Sequence, residues 1–224
     1  MTETKAVIFD FDGTLVDSLG IWKRVDEIFF GRRGMNFEEL GLNFGGRSFS
    51  ECAVYAKETL MLSESAEEIK REWTELSIEL YTDKKMLKPY AKEFVRALKA
   101  AGYKTAVGSS SDQRIIRHVV ETADMEDDFD LLLTCCEVGK GKPDPAVYYS
   151  VAKALSVLPE NCIVFEDTLE GVMAGKRAGM YVYAVEEKHN ETDRKEIEAM
   201  ADRYIEGFAY FKESFGVIHT VLPI

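Results

Sequence analysis

Basic side chains are in deficit: 28 Lys and Arg stand against 40 Asp and Glu, a net charge of −12 over 224 residues. So acidic a surface repels nucleic acid and anionic lipid alike, and any anionic ligand must find a local positive site. Cysteine is sparse as well. Cys52, Cys135, Cys136 and Cys162 show no CxxC spacing and no clustering with the three histidines, so neither a zinc site nor a disulfide framework is expected. They read as reduced thiols in a cytoplasm. Long apolar runs are missing too: nothing approaches the roughly 18 residues of a membrane span, and the run from Ala6 to Phe9 is far too short for a signal peptide. The expectation is a soluble, cytoplasmic monomer with neither nucleic acid nor membrane among its partners. What remains is an ordinary globular composition, 46% hydrophobic and 30% charged. At about 150 residues per domain the length suits one domain with a sizeable insertion, large enough to fold without a staple.

Lys5 to Asp10 (KAVIFD) is a short apolar run ending in acid, the pattern of a buried parallel strand followed by a functional loop. Tyr103 to Gly108, Asp130 to Thr134, Asn161 to Phe165 and Tyr181 to Val185 repeat it. Between them lie helices with legible ends. Pro89 precedes one with Phe94, Val95, Leu98 and Ala101 on one face, stopped by Gly102. Ser111 is the expected cap of a helix carrying Ile115, Ile116, Val119 and Val120; Asp144 and Pro145 open another; a fourth runs from Thr168 to Gly179. Alternating strands and helices predict an α/β fold, a Rossmann-like parallel sheet covered on both faces.

One interval breaks the rhythm. From Val16 to Leu87 about seventy residues are helical in pattern, where a simple crossover needs about a dozen. Ser65 and Glu68 form a capping box before Ile69, Trp73, Leu76 and Leu80, one apolar face. Gly31 to Gly34 and Gly45-Gly46 read as helix connections. Residues 17–86 are therefore expected to form an inserted helical cap on a core made of residues 1–16 and 87–224. Trp22 and Trp73 read as core aromatics, Cys135 and Cys136 as strand-end packing, and His118, His189 and His219 as non-catalytic. The tail after Glu186, charged and then aromatic, is uninformative.

Ligands of open α/β sheets bind at the carboxyl ends of the strands, and four such ends are chemically coherent here. The first reads Asp10-Phe11-Asp12-Gly13-Thr14. The second, Gly108-Ser109-Ser110-Ser111, meets a helix N-terminus, where hydroxyls and free N–H groups favour phosphate. The third leads to Lys140-Gly141-Lys142-Pro143-Asp144-Pro145, a lysine on a rigid turn, and the fourth ends Phe165-Glu166-Asp167-Thr168. Asp10, Asp12, Glu166 and Asp167 would crowd one mouth, where each like-charge pair at about 4 Å costs roughly 4 kcal/mol at an effective dielectric of 20. Lys142 alone is too little. Oxygen ligands in this number call for a hard divalent cation, Mg²⁺. Carboxylate, metal, lysine and helix N-terminus are the parts that phosphoryl transfer needs.

DFDGTLVDS at residues 10–18, VGSSS ending at Ser111, KGKPDP from Lys140 and FEDTLEGVMAGKRAG from Phe165 match, in order and spacing, the four motifs of the haloacid dehalogenase superfamily. The chain resembles its β-phosphoglucomutase-like phosphatases, with the helical insertion where that subfamily places its cap. The resemblance implies that Asp10 is the nucleophile, forming an aspartyl-phosphate, and that Asp12 is the acid and then the base. It implies that Ser109 and Lys142 hold the phosphoryl oxygens, with Ser110 beside them. Mg²⁺ would be held by Asp10, Asp167 and the carbonyl of Asp12, with Glu166 acting through water. Two departures stand out. The mutases of the subfamily carry a histidine soon after the first motif, where this chain reads Leu19-Gly20-Ile21-Trp22, and their cap arginine has only Arg47 as a counterpart.

The expected activity is thus hydrolysis of a small phosphorylated metabolite. A phosphosugar mutase is the alternative. Dehalogenation gives Asp12 no task, and a phosphorelay receiver lacks a long helical insertion after its first strand. A non-catalytic binding protein would not need all four motifs intact.

Overall fold

The computed structural model describes residues 5–82, 86–188 and 192–224. Its elements in chain order are β1 (Ala6–Phe9), α1 (Leu19–Gly31), α2 (Phe49–Leu60), α3 (Ala66–Leu80), α4 (Ala91–Ala100), β2 (Lys104–Ser109), α5 (Gln113–Thr122), β3 (Leu131–Thr134), α6 (Cys135–Val138), α7 (Ala146–Leu155), β4 (Cys162–Glu166), α8 (Leu169–Arg177), β5 (Tyr181–Val185), α9 (Arg194–Met200) and β6 (Arg203–Ile205). The strands form one sheet in the order β3-β2-β1-β4-β5-β6, every pair parallel. β1 is central, with Phe9 opposite Val107 of β2 and Phe165 of β4, so its C-terminal end lies at the switch point of a Rossmann-like order.

Alternate residues of the strands feed two separate cores. Val7 and Phe9 face the side covered by α4, α5 and the C-terminal 3₁₀ segment Phe208–Thr220, while Ala6 and Ile8 face the side covered by α7, α8 and α9. The first core is dominated by aromatic rings: Phe9, Phe165 and Tyr183 stack across three strands at 5.3 and 4.9 Å, and Phe94 stacks on Phe211 at 4.6 Å. Such rings contribute by buried area and add about 0.5–1.5 kcal/mol per well-placed pair.

All five expected strands are present. β6 is additional. The cap of α5 is Asp112, whose side chain accepts from the Arg114 N–H at 2.9 Å, and not Ser111, which sits one residue earlier and is buried. The capping box of Ser65 and Glu68 forms as expected, and Ser48 and Glu51 form a second at the start of α2. Residues between α1 and α3 contain helix and no strand. The chain enters and leaves this stretch side by side: Asp17 donates to the Met86 carbonyl and Lys88 to the Leu15 carbonyl, both at 2.8 Å. Gly34 and Gly46 both take left-handed conformations in the connections that surround α1 and α2. Among the described residues no helix is long and apolar enough to cross a membrane.

Candidate active site

β1 ends at Phe9, and the next amide, Asp10 N–H, still bonds the Phe165 carbonyl at 2.9 Å, which fixes Asp10 at the sheet edge. The chain then turns sharply. Leu15 and Val16 both donate to the Phe11 carbonyl at 3.0 Å, and Gly13 takes φ +79°. A Cβ at Gly13 would lie 2.3 Å from Asp167 Oδ2, so only glycine lets this turn share space with that carboxylate. Thr14 Oγ1 donates to Asp167 Oδ1 at 2.9 Å, tying the first loop to the fourth.

Lys142 reaches the same point from the loop after α6. Its Nζ lies 2.5 Å from both Asp10 Oδ1 and Glu166 Oε1, with side-chain exposures of 5, 10 and 0%. Glu166 is satisfied on every side: Tyr148 OH donates to Oε1 at 2.5 Å, while the Asp167 N–H and the Thr168 hydroxyl donate to Oε2 at 3.1 and 3.2 Å. Gly171 permits this, because a Cβ there would fall 2.0 Å from the Glu166 carboxylate. Carboxylate oxygens of Asp10, Glu166 and Asp167 all lie within 4.8 Å of one another, buried.

The charges are out of balance. Burial pushes Asp10 well above the usual carboxylate range against the pull of Lys142, and Glu166 and Asp167 add to the rise. Asp167 is pushed up to about 7, by burial first and then by Glu166. Burial opposes the Lys142 ammonium, but Asp10 and Glu166 prevail and hold its pKa well above the ordinary value. Three buried carboxylates around one ammonium leave negative charge uncompensated, and an all-oxygen donor set of this kind fits a hard divalent cation.

Asp12 does not join this cluster. Its Oδ1 accepts from Trp22 Nε1 at 2.8 Å and from Tyr81 OH at 3.1 Å, so the side chain points toward α1 and the end of α3. Trp22 packs against the first core as expected, but it is only half-buried and its indole N–H also finds a carboxylate. Ser109 is buried at the end of β2, its Oγ accepting from the Ser111 N–H at 3.0 Å, which leaves the hydroxyl proton free to donate elsewhere. The Ser110 hydroxyl instead turns to Cys135 Sγ, and the Ser110 carbonyl accepts from the Phe49 N–H at 3.0 Å. Arg47 donates to the Asn43 carbonyl at 2.8 Å and lies over the Tyr55 ring at 4.3 Å. Asp10, Asp12, Ser109, Ser110, Lys142 and Arg47 all line one cavity of about 190 Å³.

Sequence reasoning missed Tyr148, Tyr81 and the role of Trp22. Tyr148 belongs to an apolar helix face and Tyr81 follows α3 by one residue, so neither carries a local signal. Their hydroxyls matter only through partners 18 and 69 residues away. Of the histidines, His118 bonds the Tyr81 carbonyl through Nε2 at 2.9 Å and His219 is exposed, neither of them lining the site, while His189 lies outside the described residues.

Comparison with known proteins gives the same reading. Residues 4–179 match the family model of the haloacid dehalogenase-like hydrolases. A phosphorylated carbohydrates phosphatase of Thermotoga maritima is 31% identical over 84% of this chain and 88% of its own. Hexitol phosphatase A of Escherichia coli is 31% identical over 81% and 82%. In fold, CbbY from Rhodobacter sphaeroides, solved with phosphate, superposes with a TM-score of 0.76 at 24% identity, covering 93% of this chain and 96% of that one. β-Phosphoglucomutase from Clostridium difficile gives 0.75 at 21% identity over 97% and 99%. The chain belongs to the haloacid dehalogenase-like hydrolases, and within them to the β-phosphoglucomutase-like phosphatases.

Proposed function

We propose that the protein hydrolyses small phosphomonoesters, with Asp10 as nucleophile and Asp12 as acid and base. The observation that carries this reading is the Lys142 ammonium held 2.5 Å from Asp10 at the mouth of the parallel sheet, beside two further buried carboxylates. In the first half-reaction a carboxylate oxygen of Asp10 attacks phosphorus and the ester oxygen leaves with a proton from Asp12, giving an aspartyl-phosphate and the free alcohol. In the second, Asp12 takes a proton from water, whose oxygen attacks the same phosphorus and releases Asp10 and inorganic phosphate. Trp22 and Tyr81 occupy Oδ1 of Asp12, which leaves Oδ2 to carry the proton. Lys142 and the Ser109 hydroxyl hold the phosphoryl oxygens, while Lys142 also keeps Asp10 aimed.

Asp10 and Asp167, with the Asp12 carbonyl, would hold Mg²⁺. Bound there, it would offset the surplus negative charge and stabilise charge developing on the transferring group. Glu166, spent on Lys142, Tyr148 and the following amides, would act behind that first ring of ligands. Residues 17–86 would serve as a cap that brings Trp22 and Tyr81 to Asp12.

The test is release of phosphate from 4-nitrophenyl phosphate. Activity is expected with Mg²⁺, loss in excess EDTA and return on adding Mg²⁺. Asp10→Asn is expected to keep its fold by circular dichroism and lose turnover. A variant retaining more than about 10% of kcat, a loss below about 1.4 kcal/mol, would exclude Asp10 as nucleophile.

A further inference from the structure

A second cavity of about 290 Å³ adjoins the catalytic one. Asp12, Phe44, Arg47 and Ser110 line both. Beyond that shared boundary the walls are rings: Trp22 packs on Phe49 at 5.9 Å, Phe49 on Trp73 at 5.8 Å and Phe44 on Trp73 at 5.7 Å. One carboxylate enters this aromatic box. Asp26 stands one helical turn after Trp22 on α1, on the same face, and makes no hydrogen bond or ion pair with any described residue.

Asp26 is half-buried, and the apolar surroundings push its carboxyl up to about 7. The nearest lining cation does not relieve it. Arg47 lies at the boundary with the phosphate cavity, its Nη1 donating to the Asn43 and Gly45 carbonyls and its guanidinium lying over the Tyr55 ring. Arg47 and Lys142 both line the phosphoryl cavity, whereas Asp26 lines only the aromatic one. A polyol would meet mostly ring surface there and leave most of its hydroxyls unpaired. An ammonium group would meet ring faces that attract cations, together with the one unpaired acid.

Given the phosphatase reading, from which this follows, we infer that the alcohol released by this enzyme carries a cationic nitrogen, received between the aromatic rings and Asp26. The substrate class is a phosphomonoester of an amino alcohol, its phosphate at Asp10 and its ammonium in the second cavity.

Choline phosphate and its neutral carbon isostere, 3,3-dimethylbutyl phosphate, separate charge from shape. The wild-type enzyme with Mg²⁺ is expected to show a kcat/KM at least tenfold higher for choline phosphate, carried mainly by KM. In Asp26→Asn that ratio is expected to fall at least about fivefold, the ring faces keeping the remainder, and an unchanged ratio overturns the role of Asp26. The ratio is internal to each protein, so a change in folded fraction does not move it. A wild type that cleaves 4-nitrophenyl phosphate yet treats the isosteres alike overturns this proposal and leaves the phosphatase reading standing. So does one that turns over a neutral hexitol phosphate faster than either. No Mg²⁺-dependent phosphate release from any of them overturns the reading and the proposal together.

Discussion

Lys142 has two tasks that cannot be separated, because the same ammonium neutralises Asp10 and Glu166. Lys142→Gln loses the charge, keeps a hydrogen-bond donor and shortens the side chain by one atom. It is expected to lower kcat by at least a hundredfold and to destabilise the fold by about 3–5 kcal/mol in urea unfolding, the range for removing one partner of a buried pair. Asp26 presents the opposite case, a charge with no partner. Its folded pKa of about 7 lies above its unfolded value of 3.8, so the folded state holds the proton more tightly. Below pH 4 the group is neutral in both states and contributes nothing. Between about 4 and 7 the unfolded chain ionises first, so stability falls as pH rises, by up to roughly 1.4 kcal/mol per unit, and levels off above 7. Asp26→Asn lacks this loss. Its advantage over wild type in the free energy of urea unfolding is expected to be near zero at pH 4 and to grow to a few kcal/mol at pH 8; a gap independent of pH would show that Asp26 is solvated.

At the scale of elements, three strand ends were legible because each puts its chemistry within two or three residues of a buried apolar run, while Lys142, well beyond the end of β3, was legible from its Pro-bounded turn. Asp10, Ser109 and Glu166 stand where the sheet order requires. Helix starts were legible where a cap and its acid are three residues apart, as at Ser65 and Glu68. Ser111 shows the limit: adjacent Ser and Asp are both good caps, and the geometry of the turn after β2 decides for Asp112. The C-terminal tail was illegible for a different reason. β6 has three residues, and the 3₁₀ segment after it breaks at Val217, so neither shows a period. Yet Phe208 and Phe211 close the aromatic core against Phe94 and Phe165, which only the tertiary fold reveals. Phe211→Ala is expected to cost about 3–5 kcal/mol in chemical unfolding, as for other large-to-small core changes. A loss below about 1 kcal/mol would mean that the tail packs only loosely.

For the whole molecule, with Asp10 as the proposed nucleophile, the question is whether water or a second alcohol takes the phosphoryl group from it. A mutase must keep its aspartyl-phosphate from water while a bisphosphate turns round, so it needs a second anion site and control over when Asp12 accepts a proton. The helical insertion supplies neither in the form those enzymes use. Its arginine at the cleft, Arg47, already donates to two carbonyls, and the second cavity it borders carries an acid, Asp26, which disfavours a phosphate there. Asp12 is held by an indole N–H and a phenol, neither of which gains or loses a proton near neutral pH as an imidazole would. With Asp12 as the proposed acid and base, water is available to activation in every turnover, and hydrolysis is expected to prevail. With β-glucose 1-phosphate, catalytic glucose 1,6-bisphosphate and Mg²⁺, free phosphate is expected to appear at least as fast as glucose 6-phosphate. Isomerisation tenfold faster than phosphate release would instead place a working second anion site in the insertion and make the protein a mutase.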